Sequence, residues 1–286
     1  MSNPLPLERE EYIEQAYFFR TLRERLAENM PAQEVLGRID EELLSSTRLP
    51  MAVQFLAAEI RHHGLLAPAM TRIGHYFTPF QAFVIQQAER DERKFAMPAA
   101  LLILEREAAF KSKQPTTCGL FVYQFEAISR NRLGYDDGLD AIRGDPFFNE
   151  DWRAYTDMVR RQVGSIDFAD LVYLRSILYV QDQRRSDPRY EPPVPPLFAE
   201  KEGKIAKASR GRDPMFLFAA LQRQLDYPEV PRPPRPTEIS VINTLPMKIR
   251  DLEARVRILE AEASGTFDPT QFGKPELLGG IVPEDE

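Results

Sequence analysis

The chain is poor in the residues that most often carry chemistry. Its 286 residues include one cysteine, Cys118, and three histidines, His62, His63 and His75. A single cysteine excludes an intrachain disulfide and a multi-cysteine zinc site. It also fits a reducing compartment, so a cytoplasmic location is expected. No Gly-x-x-x-x-Gly-Lys, Gly-x-Gly-x-x-Gly, Gly-x-Ser-x-Gly or His-Glu-x-x-His spacing occurs, which removes the signatures of phosphate loops, dinucleotide folds, nucleophile elbows and zincins. Long apolar runs are missing too. The best of them, LVYLRSILYV at 171–180, is ten residues long and contains Arg175, against the roughly 20 that a bilayer requires. The opening MSNPLPLEREEY has neither a basic n-region nor an apolar h-region, so no secretory signal and no membrane partner are expected. The net charge of −7 argues against wholesale binding of polyanions, though a local basic patch stays open.

What is present is helical periodicity. Tyr12, Ala16, Phe19, Leu22 and Leu26 form one face of a helix over 8–29, and Val35, Leu36, Ile39, Leu43 and Leu44 form the next. Pro50 suits the first turn of a third helix, which Gly64 ends. Thr78 caps a helix that has Pro79 in its first position, and Pro98 kinks or splits the helical stretch before AALLILEREAAF resumes. A further helix is expected over 116–132. A helix–turn–helix follows at 134–163, whose Pro146-to-Trp152 spacing and Ala141 resemble the junction between two tetratricopeptide repeats. No second copy appears at a period of about 34 residues, so an isolated hairpin is the expectation. Residues 165–182 read as one buried helix; the β-branched and aromatic LVYLRSILYV would also suit a strand, and the all-helical context decides for the helix.

The expected fold is all-α, a multi-helix bundle or helical-hairpin array with a Pro-rich linker and a C-terminal heptad-patterned helix. The 24 prolines concentrate between about 188 and 236 and mark the joints. The division expected is a helical body over 1–227 (with a Pro-rich and basic connection at 187–212), a Pro-rich linker at 228–245, an amphipathic helix at 246–264, and an acidic-ended tail at 265–286.

The most specific pattern lies in that C-terminal helix. Ile249, Leu252, Val256, Leu259 and Ala263 alternate at spacings of three and four, a heptad a/d seam. Ile242 and Leu245 extend the pattern, but Pro246 disfavours helical angles at Leu245 and trims them off. The g positions carry Lys248 and Arg255 and the e positions Glu253 and Glu260, which bridge oppositely charged flanks in a parallel pair. The stripe either pairs with its own copy or docks on a helical body.

Few other residues qualify as site candidates. Glu59 and His62 have the Glu-x-x-His spacing of carboxylate-bridged metal bundles, but no second such pair exists, so no metal or cofactor is expected. Asp136, Asp137 and Asp140 lack the spacing of a calcium loop. Cys118 lies on an apolar helix without a histidine partner and reads as a small core hydrophobe. Arg175 interrupts an apolar run, and a buried guanidinium needs a carboxylate or carbonyls. Lys201, Lys204, Lys207, Arg210 and Arg212 form a basic stretch suited to an anionic partner, with no interleaved aromatics.

The leading functional reading is a non-enzymatic helical interaction or scaffold protein that self-associates, as a parallel homodimer for instance, or binds a protein partner through its heptad helix. A helical-bundle enzyme or ligand- or metal-binding protein using Glu59, His62 and Arg175 is the second. Nucleic-acid association through 201–212 comes last.

Overall fold

Prolines and short polar side chains set most of the helix starts. A computed structural model describes residues 5–90 and 95–232, and the features below belong to these residues. They form thirteen α-helices with no strand: α1 (Arg9–Ala27), α2 (Ala32–Ile39), α3 (Leu49–His63), α4 (Ala67–Arg72), α5 (Pro79–Glu89), α6 (Met97–Lys111), α7 (Thr117–Asn131), α8 (Tyr135–Arg143), α9 (Glu150–Gln162), α10 (Phe168–Leu174), α11 (Ile177–Ser186), α12 (Glu200–Ser209) and α13 (Pro214–Leu225). A 3-10 turn at Asp40–Glu42 follows α2.

Pro50, Pro68, Pro79, Pro98 and Pro214 all stand in a first helical turn, where a missing N–H costs nothing and φ is already helical. Pro98 therefore opens α6. Thr78 and Gln81 make a reciprocal capping box, with the Gln81 N–H donating to Thr78 Oγ1 at 3.3 Å and the Thr78 N–H to Gln81 Oε1 at 3.1 Å. Gly64 ends α3 in the left-handed region, at φ 72°. No helix among the described residues is long and apolar enough to cross a membrane.

The core is organised around α7. Every residue from Gly119 to Ile128 on it is buried, and α6, α8 and α13 pack against it. A helix buried on all sides is the centre of a layered body rather than its surface. The N-terminal helices join through α1, which lies along α6 in the most extensive pairing of the body. On the other side, α9 brings Trp152 and Tyr155 against Phe121, and Phe198 closes over both rings at 5.5 Å.

The structure departs from the sequence-based expectation in three places. The helix anticipated over 165–182 is two helices, broken at Arg175–Ser176. There the Arg175 carbonyl accepts from the N–H groups of Leu197 and Phe198, and the Ile177 N–H donates to the Phe198 carbonyl at 2.9 Å. These tertiary backbone bonds replace the intrahelical ones, and Ser176 caps the second helix. The basic stretch is not a connection but α12, whose Glu202, Gly203, Ala206 and Ser209 face inward. The proline segment begins docked rather than free: Val230 is buried, and the Pro231 carbonyl accepts from Asn131 Nδ2 at 3.3 Å.

Candidate functional site

A solvent-open groove of about 980 Å³ runs between α4 and α5 on one side and α8 with the start of α9 on the other. Two close approaches shape its floor. A Cβ on Gly144 would come 2.8 Å from Pro79 Cγ, and one on Gly138 would come 3.2 Å from Phe83 Cζ, so the absence of both side chains lets the end of α8 settle onto α5. The floor is Pro79, Ala82, Phe83 and Ala141, and the rim carries Arg72, Arg90, Arg143 and Arg153 with Asp137 and Asp140.

Three of the four arginines hold carboxylates at the surface. Arg72 reaches Glu59 and stacks over the Phe55 ring at 5.5 Å. Arg143 places Nη2 3.1 Å and Nε 3.3 Å from Asp140 Oδ1. Arg153 donates from Nη1 to Glu150 at 2.9 Å, while its Nε is buried with no protein partner among the described residues. Such surface pairs contribute about 0–1 kcal/mol each, so a ligand carboxylate can exchange with them at little cost.

The candidates named from the sequence scatter over the body. Glu59 is spent on Arg72 and lies 3.8 Å from His63, and His62 is exposed, so the Glu-x-x-His pair does not converge. No group of three or more metal-ligating side chains assembles among the described residues. Arg175 caps α10 half-buried: its Nη2 donates to the Pro195 carbonyl at 3.1 Å, and its guanidinium lies 5.4 Å over the Tyr155 ring. Desolvation lowers its pKa, and Tyr155 and Asp151 partly offset that. On α12 and just beyond, Lys204 pairs with Glu200, Lys207 with Asp182 and Arg210 with Asp170, while Arg210 also lies 4.2 Å over the Tyr173 ring. Lys201 and Arg212 flank these pairs. Burial pushes the Cys118 thiol well above its usual pKa, which disfavours the thiolate. Ile249, Leu252, Val256 and Leu259, with Lys248, Glu253, Arg255 and Glu260, lie outside the described residues.

Two interior ion clusters were not foreseen. Lys111, fully buried, lies 2.6 Å from Asp145 Oδ2 and 3.0 Å from Glu107 Oε1. Gln124 Nε2 donates to both carboxylates, at 2.7 Å to Glu107 and 2.9 Å to Asp145, and Gln81 ties Glu107 to Gln15 on α1. Burial alone would drag the ammonium pKa down, but the Asp145 and Glu107 charges outweigh it and leave it above the usual lysine range. Burial raises the Glu107 pKa, and Lys111 offsets only part of that rise. The second cluster joins Glu126 on α7 to Arg130 and to Tyr227, whose hydroxyl donates to Glu126 Oε2 at 2.6 Å.

Compared with known proteins, the chain matches no family model, no curated protein and no solved structure, so its function rests on its own residues.

Proposed function

We propose that the chain is a helical interaction protein: a rigid body that presents surfaces, with the heptad segment 246–264 pairing in parallel with its copy. The observation that carries this reading is where the buried charges end. Lys111 meets Asp145 and Glu107, and Glu126 meets Arg130 and Tyr227, so each group is spent on holding helices together rather than aimed at a cavity. That is the use of polar chemistry expected in a scaffold whose helices must keep one arrangement. The seam Ile249, Leu252, Val256 and Leu259, flanked by Lys248, Glu253, Arg255 and Glu260, supplies the association.

Sedimentation velocity of the full chain beside a Leu252→Asp/Leu259→Asp variant tests it. The reading expects a concentration-dependent dimer that the paired substitution reduces to monomer while the helical signal of the body persists. A monomer at every concentration for the unaltered chain removes the self-association.

A further inference from the structure

We infer that the proline segment 192–199 is a detachable strap, and that its release lets α10 and α11 join into one helix. The inference concerns the body alone and does not depend on the heptad segment. Its first ground is that the helical face runs through the break without a slip. Leu174, Ile177, Gln181 and Arg184 are exposed at spacings of three, four and three, and Tyr173, Ser176 and Val180 are buried at spacings of three and four. That is the period of one continuous helix. The break rests on a single extended residue, Ser176 at φ −102° and ψ 156°, with Arg175 before it at φ −104° and ψ 20°.

The second ground is that the backbone bonds holding the break have replacements inside a joined helix. In the broken form the Arg175 carbonyl accepts from the Leu197 and Phe198 N–H groups at 2.8 and 3.1 Å, and the Ile177 N–H donates to the Phe198 carbonyl. Joined, the Arg175 carbonyl accepts from Tyr179 and the Ile177 N–H donates to Tyr173, each four residues away. The Leu197 and Phe198 N–H groups turn to water. Two ties oppose the change. Ser176 Oγ accepts from the Tyr179 N–H at 3.2 Å, and the Tyr173 hydroxyl donates to Asp182 at 2.7 Å, a span that nine helical residues stretch to about 14 Å.

The third ground is how lightly the strap is held. Pro192, Pro193, Pro195 and Pro196 have no N–H to donate, and the stretch from Pro193 to Pro196 is exposed. Its anchor is the Phe198 ring, 5.5 Å from those of Trp152 and Tyr155. Two residues that the strap touches carry buried polar atoms with no partner among the described residues, Arg175 Nε and the Tyr155 hydroxyl. Release admits water to both and offsets part of the lost burial of Phe198. It also bares the ring faces of Trp152 and Tyr155, so the strap controls access to an aromatic patch on α9.

The test is amide hydrogen exchange of the full chain, read by mass spectrometry on overlapping peptides, with Trp152 fluorescence beside it. Trp152 is the chain's one tryptophan and reports the seat of Phe198 directly. Leu197 and Phe198 should exchange through an opening of their own, with protection at least about tenfold lower than that of α7, while the amides of 177–180 stay protected. Fraying of the break would release both groups together, whereas joining keeps the second bonded. Ser176→Ala and Tyr173→Phe each remove a tie of the broken form. Each should speed exchange at Leu197 and Phe198 several-fold, shift Trp152 emission to the red, and raise the far-ultraviolet helical signal. Misfolding would lower that signal instead. Protection of Leu197 and Phe198 equal to that of α7, loss of protection at 177–180 together with the strap, or variants whose helical signal is unchanged or reduced each overturns the inference.

Discussion

Lys111 Nζ on α6 sits 2.6 Å from Asp145 Oδ2 in the turn between α8 and α9, with both side chains fully buried. The contact joins the first half of the body to the hairpin that follows α7, and Glu107 and Gln124 complete it. Tyr12 on α1 and Phe147 beside Asp145 cover the ammonium, their ring centroids 5.9 and 5.5 Å away.

Removing one partner of such a pair strands the others. Lys111→Met should cost about 3–5 kcal/mol, measured by urea denaturation. Adding Glu107→Gln and Asp145→Asn to it should recover part of the loss, because the stranded carboxylates are then gone. A triple variant as unstable as the single one would show that packing around the lysine stem, and not charge, dominates.

Two buried tyrosines should respond in opposite ways to loss of the hydroxyl. Tyr227 donates to Glu126 and to the Phe218 carbonyl, so Tyr227→Phe should destabilise by about 1–3 kcal/mol. The Tyr155 hydroxyl is buried without a protein partner among the described residues, and Tyr155→Phe keeps the ring under Arg175. It should be neutral or stabilising by about 1 kcal/mol in the same denaturation assay. A large loss at Tyr155 would mean that its hydroxyl is satisfied.

Alkaline pH should unfold the body cooperatively. Burial raises the pKa of Tyr12, Tyr76, Tyr123, Tyr155 and Tyr227 above the ordinary tyrosine value, and the Asp145 and Glu107 charges raise that of Lys111 against the pull of its burial. Each group holds its proton more tightly folded than unfolded. Their stabilisation is complete below about pH 10 and is lost as pH rises past the unfolded values. A denaturation midpoint flat through neutrality and falling steeply above about pH 10, with tyrosine ionisation coincident with unfolding, is the expected record.

Gly203 marks a helix crossing with no room for a methyl group. A Cβ there would come 2.8 Å from both Leu178 Cβ and Ser176 Cβ, in the side chains of the α10–α11 break. Gly203→Ala should cost about 1–3 kcal/mol by denaturation, despite alanine's better helix propensity. A stabilised variant would show that α12 can shift outward freely.

The local signals in the sequence were legible where the cause was local. Gly64, Thr78, Pro79 and the α8–α9 hairpin stand where their own chemistry put them. The break at Arg175–Ser176 was hidden because its cause, the backbone of Leu197 and Phe198, arrives from some twenty residues downstream. Ser176 was the available clue, a capping residue inside an apolar run. The triad was hidden for a related reason. Glu107 and Lys111 have the i,i+4 spacing of any surface pair, and only Asp145, distant in sequence, draws them inside. The groove needs four helices at once, drawn from two stretches, 67–90 and 137–153, that lie some fifty residues apart.

The complete burial of α7 has a consequence for how the protein is made. Its last residue, Asn131, leaves the ribosome 94 residues before Leu225 ends α13, the helix that packs against it and precedes Tyr227. At about 5–20 residues per second, this buried helix waits roughly 5–20 seconds for its final cover. During that interval the nascent chain displays Phe121, Phe125 and Ile128 without all their neighbours, which makes it a substrate for holdase chaperones and exposes it to aggregation whenever synthesis stalls between the two helices.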